Sequence, residues 1–150
     1  MAAGRLSWKQ LLVLRLRARG MSVSEIARRL GVTRQDVSAS LRRAERSYRE
    51  ALETIEAYVA ASSPVVVEAG EGSTVEDVAE ALLREADRAG VKLALGRGEL
   101  ASCLRAVLRG AVAHGRLRER VCLAVSPEGV PLRVDCGLVD ALAGEEARLP

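Results

Sequence analysis

Between Ser22 and Arg42 the chain spells a helix, a glycine turn and a second helix, with apolar residues where two crossed helices must touch. Ile26 and Leu30 lie one turn apart, and Ala27 is small enough for close helix approach. Gly31 supplies a left-handed turn conformation that a side chain would penalise. Val32 plugs the corner, Thr33 is placed to cap the second helix, and Val37 and Leu41 return to the core at i, i+4. This spacing is the helix-turn-helix pattern, in which the second helix enters a DNA major groove.

The flanking sequence completes a three-helix unit. A first helix is predicted from a Ser7 cap to Arg19, ended by Gly20 and broadly apolar through Trp8, Leu11, Leu12, Leu14 and Leu16. Ser22 followed by Glu25 is a capping-box pair. From Arg34 to Ala61 there is neither Gly nor Pro. Val37, Leu41, Ala44, Tyr48, Ala51, Ile55 and Tyr58 recur there at alternating spacings of four and three. The third helix is therefore expected to outrun the small bundle. Beyond that point Tyr48, Ala51, Ile55 and Tyr58 need another surface, and a second copy of the chain is the expected partner. Ser62-Ser63-Pro64 ends the helix and divides a 1–62 head from a 64–150 module.

Charge follows the same division. Residues 1–63 hold 12 Lys+Arg against 6 Asp+Glu, whereas residues 64–150 hold 11 against 14. A basic head suits a polyanion, and an acidic module points to another task. Arginine makes up 21 of the 23 basic residues throughout, which also fits a compositional bias of the genome. If Val37 and Leu41 face inward, Thr33, Arg34, Gln35, Ser38, Ala39 and Arg42 face the groove. Arg34 matches guanine O6/N7 and Gln35 adenine N6/N7. Arg28, Arg29, Arg42, Arg43 and Arg46 are placed to reach flanking phosphates.

The module from 64 to 150 reads as β-α-β-α-β-β. The expected elements are a strand at Val65–Val67, a helix from Ser73-Thr74-Val75-Glu76 to Gly90, and a strand at Val91–Leu95. A helix over Glu99–Arg109, a mobile Gly110–Arg118 stretch, and a hairpin of Val121–Val125 with Val130–Val134 follow. A two-residue Glu128-Gly129 turn would pair Leu123 with Val134 and Val125 with Leu132. The expected fold class is thus α+β, a helix-turn-helix unit with an elongated third helix followed by a small α/β layer, helices on one face of the sheet.

Other chemistry is sparse. Glu68–Thr74 has the shape of an anion-binding loop but carries acidic residues and no Lys or Arg, so it reads as a structural turn. Cys103, Cys122, Cys136 and His114 do not share a predicted face: Cys103 and Cys136 point inward and Cys122 outward. No metal site, cofactor or disulfide framework is expected. No catalytic motif occurs, so the chain is not expected to be an enzyme. Without a signal segment or membrane span, the expected compartment is the cytoplasm. A rival reading keeps a small-ligand-binding or enzymatic α/β domain with the head as a DNA tether. It requires a convergent polar cluster in residues 64–150, and the sequence displays none.

The run Leu6-Ser7-Trp8-Lys9-Gln10, then Val13-Leu14-Arg15-Leu16-Arg17-Ala18-Arg19-Gly20, then Ile26-Ala27-Arg28, Leu30-Gly31-Val32-Thr33-Arg34, Val37-Ser38 and Arg43-Ala44 resembles the Tfx family of archaeal transcriptional regulators. The likeness continues through Pro64-Val65-Val66-Val67, Gly72, Val78 and Ala86-Asp87-Arg88-Ala89-Gly90-Val91-Lys92. The resemblance implies a double-stranded DNA-binding regulator acting near an archaeal promoter. Gln35, Asp36 and Ala39 are where members of such a family are expected to diverge. A small-molecule effector in residues 64–150 is a further expected partner.

Overall fold

The computed structural model describes residues 2–150 and divides the chain into two compact units, up to Glu53 and from Thr54 onward. In the first unit a short hairpin, β1 (Ala2–Ala3) and β2 (Leu6–Ser7), leads into α1 (Trp8–Ala18) and α2 (Val23–Leu30). The third helix, α3 (Arg34–Ser62), is continuous for 29 residues. Each start is set locally. Ser7 accepts from the Gln10 N–H, Ser22 accepts from the Glu25 N–H, and the Gln10 and Glu25 side chains return to the cap N–H groups. Gly31 ends α2 at φ 65°. Val13, Ile26 and Val37 are fully buried where the three helices meet, with Leu16 and Ala27 beside them.

The second unit is built on a three-stranded antiparallel sheet. Its strands β3 (Val66–Ala69), β6 (Val121–Val125) and β7 (Pro131–Val134) run in the order β3-β6-β7. Helices α4 (Val75–Ala89) and α5 (Arg97–Val107) cover one face, burying Val67, Leu123 and Val125 with Leu82, Leu100 and Leu104. A small hairpin, β4 (Val112–Ala113) and β5 (Arg116–Leu117), follows α5, turning on His114 and Gly115, both at positive φ. The stretch expected to be mobile therefore has an ordered pairing, with Leu117 buried.

Other expectations for this unit need correction. Helices lie on both faces of the sheet: the end of α3, through Val59 and Ala60, and a last helix α6 (Cys136–Glu146) cover the side bearing Cys122, Ala124 and Val134. Residues 91–95 form no strand. Their alternating burial (Val91, Leu93 and Leu95 inward) reports one-sided packing, and the segment touches the hairpin loop through the Ala94 N–H to the Gly129 carbonyl at 2.9 Å. The hairpin register is shifted by one, with Cys122 opposite Val134, Leu123 opposite Arg133 and Val125 opposite Pro131. All five residues of β6 are buried, so inward and outward positions could not be told apart by hydrophobicity. The loop closes between Ser126 and Val130 (N–H to carbonyl, 2.8 Å), leaving three residues in the turn.

That shift puts Cys122 on the face toward Cys136, and the two form a disulfide with Cα atoms 5.3 Å apart. Their placement on opposite faces was the error that concealed the bond. Cys103 is the free thiol.

Gly129 anchors the turn. It sits at φ +83°, and a Cβ there would meet the Lys92 carbonyl oxygen at 2.7 Å and the Ala94 nitrogen at 2.9 Å. Both obstacles are backbone, so neither can rotate away. Gly129→Ala is expected to cost about 2–4 kcal/mol in thermal or urea unfolding. Gly110→Ala, with ordinary φ and open space around the new carbon, serves as a control expected to fall within about 0.5 kcal/mol of the wild type if no strain is introduced.

Candidate nucleic-acid interface

The start of α3 is fixed by a reciprocal cap. Thr33 Oγ1 accepts from the Asp36 N–H at 3.1 Å, while Asp36 Oδ2 accepts from the Thr33 N–H at 3.1 Å and from Thr33 Oγ1 at 2.8 Å. The Thr33 hydroxyl and N–H bonds hold the Asp36 carboxyl below its ordinary range, with Lys9 and Arg43 adding charge attraction. The Ser22 bonds do the same for Glu25. Both carboxylates favour folding when ionised, and that contribution is present above the ordinary carboxylate range and lost as pH falls through their lowered values.

With Val37 and Ala44 buried beneath it, α3 turns the opposite side outward. Arg34, Gln35, Arg42, Arg43 and Arg46 are exposed there, while Ser38 and Ala39 are half-buried between them. The side chains of Arg34, Gln35, Arg42 and Arg46 hydrogen-bond to no other group among the described residues, so their donors remain available to a ligand. Thr33 is exposed but its hydroxyl is committed to the cap. Arg28 and Arg29 are exposed on the last turn of α2, with Arg29 directed over the Met21 sulfur at 3.8 Å. The structure thus gathers all ten residues expected at the interface into one unit.

Sequence reasoning passed over Lys9. It lies on α1, outside the two-helix motif, yet it is exposed and close enough to Asp36 to bear on its charge. As a lone lysine in a first turn it carried no periodic signal. Arg5 was also unremarked, and it pairs with Glu50 at 3.0 Å.

Further along α3, Tyr48, Ile55 and Tyr58 are exposed to 61%, 51% and 61%, and Ala51 is exposed between them. An open apolar groove of about 580 Å³ in the second unit is lined by Ile55, Tyr58, Val59, Pro127, Val130 and Leu132. Among the described residues no cluster of three or more His, Cys, Asp or Glu is arranged to hold a metal, and no helix is long and apolar enough to cross a membrane.

Three short-linked helices, a left-handed glycine at the corner and a cationic third helix define a protein of the helix-turn-helix class. Residues 5–52 match the homeodomain-like domain, and residues 51–131 match the C-terminal domain of the DNA-binding protein Tfx. A protein of Pyrococcus furiosus whose name assigns it to transcriptional regulation is 30% identical over 91% of this chain and 95% of its own. A Thermococcus kodakarensis protein of similar description is 36% identical over 66% of each chain. The DNA-binding protein Tfx of Methanothermobacter thermautotrophicus is 29% identical over 83% of this chain and 90% of its own. The chain belongs to the Tfx family of DNA-binding transcriptional regulators.

Proposed function

We propose that this chain is a sequence-specific regulator of transcription that binds duplex DNA as a homodimer. The opening turns of α3 lie in the major groove. The observation that carries this reading is the row of free donors, Arg34, Gln35, Arg42 and Arg46, held outward by the buried Val37 and Ala44. Arg34 and Gln35 read base edges, Ala39 permits close approach, and Ser38 adds a hydroxyl. Arg28, Arg29, Arg42, Arg43 and Arg46, with Lys9, neutralise flanking phosphates.

Dimerisation is supported by Tyr48, Ile55 and Tyr58, large side chains more than half exposed at heptad-like spacing along α3. The groove beside Ile55 and Tyr58 would receive the same row from a second copy. In this reading residues 1–62 read DNA and pair, and residues 64–150 support pairing or regulation.

Two measurements test it. Selection from a random duplex pool should return one motif with two half-sites about one helical turn apart. Recovery of no enriched sequence would remove the base-reading role. If five or six of the named cations in each protomer contact phosphates, log affinity of the dimer should fall against log salt with a slope of about −9 to −11. A slope near zero would rule out the phosphate contacts.

A further inference from the structure

We propose that the Cys122–Cys136 bond is a redox-active site, opened by a dithiol reductant, whose reduction loosens α6 from the sheet. The inference is independent of DNA binding and rests on how thinly α6 is held. None of its residues is fully buried. Leu138 and Val139 pack only partly on the Val59, Ala60, Ala124 and Val134 cluster. The remaining non-covalent tie is Asp140, gripped by Arg120 at 2.7 and 2.8 Å while the same guanidinium holds Glu68 at 2.7 and 2.9 Å. These ion pairs are solvent-exposed and correspondingly weak. The covalent bond pins the first residue of α6 directly to β6, beside the Asp135 link that joins the helix to β7.

The two sulfurs are not equivalent. Cys122 is fully buried in the central strand, whereas Cys136 opens α6 and is partly exposed. Both line an open cleft of about 380 Å³ bordered by Glu56, Arg120, Arg133 and Asp135. A reagent entering this cleft meets the Cys136 sulfur first. A thiolate of the dithiol attacks Cys136 Sγ and forms a mixed disulfide. The Cys122–Cys136 bond breaks, its electron pair goes to Cys122 Sγ, and Cys122 takes up a proton. The second thiol of the reductant, having given up its proton, attacks the first reductant sulfur and releases Cys136 as thiolate, which is then protonated. Two electrons and two protons pass to the protein, and the reductant leaves as its own disulfide. In the reverse direction the Cys136 thiolate attacks a partner disulfide and Cys122 resolves the mixed disulfide.

The test uses the full chain. Under air, iodoacetamide followed by intact mass should find one alkylated cysteine, Cys103. After dithiothreitol without denaturant it should find three. Amide exchange of residues 136–146 should then become roughly tenfold faster or more, with residues 75–89 unchanged. Incubating C122S with glutathione disulfide should place an adduct at Cys136. Three free thiols under air would overturn the proposal. So would a bond that resists dithiothreitol until denaturant is added, unchanged exchange in 136–146, or absence of an adduct at Cys136 in a folded C122S. If C122S fails to fold, loss of protection in residues 75–89 will reveal it, and the wild-type reduction then decides the question.

Discussion

Ile55→Asp combined with Tyr58→Asp is expected to halve the mass seen by sedimentation, from a dimer of 16.0 kDa chains to the monomer. The two side chains are 51% and 61% exposed in the isolated chain, so aspartate there costs the monomer little. In a paired seam each copy would instead bury two carboxylates without partners, which is among the most expensive changes an interface can suffer. Loss of the pair should also lower affinity for a two-half-site operator by about 10²- to 10⁴-fold, because the second head no longer binds at the effective concentration set by the first. A wild-type chain that sediments as a monomer removes the seam. A double variant that stays dimeric moves the interface elsewhere.

Arg34→Ala with Gln35→Ala should erase site preference and leave binding. A bidentate side chain on a base edge discriminates by about 5- to 150-fold, so losing two should cost between roughly 30-fold and 10⁴-fold in the ratio of specific to random affinity. Neither side chain bonds to another group among the described residues, and both are exposed, so the fold should be indifferent to the change. Binding to random duplex at low salt should persist through Arg28, Arg29, Arg42, Arg43 and Arg46. Competition titration against the selected motif and a scrambled duplex checks this. An unchanged ratio would assign base reading to other residues.

The head was legible because its determinants are local. Ser22 and Glu25 meet within one turn, Gly31 marks its own corner, and Val37 and Ala44 declare the inner face by spacing alone. The second unit depends on which segment lies beside which, and hydrophobicity carries that only when one face is wet. Here β6 is buried on both sides, so a one-residue slip passed unnoticed and sent Cys122 to the wrong face. Val91–Leu95 showed a strand's alternation without a strand's neighbour. Helix α6 offered little periodic signal, since none of its residues is buried and only Cys136, Leu138 and Val139 pack partly on the sheet. The missed Lys9 belongs with these, being brought near Asp36 by the fold rather than by its neighbours in sequence.

The pairing of Val66 with Ala124 has a consequence in time. A chain emerging from the ribosome can complete the caps and corner of its first 53 residues from contacts a few turns apart. Strand β3 emerges soon afterward but must wait for a partner dozens of residues downstream, and closing so long a loop slows nucleation. During that interval Val65 and Val67 have only α4 and then α5 for cover. The head should therefore be competent while the rest of the chain is still being made, and nascent-chain proteolysis should find the first unit resistant before the second.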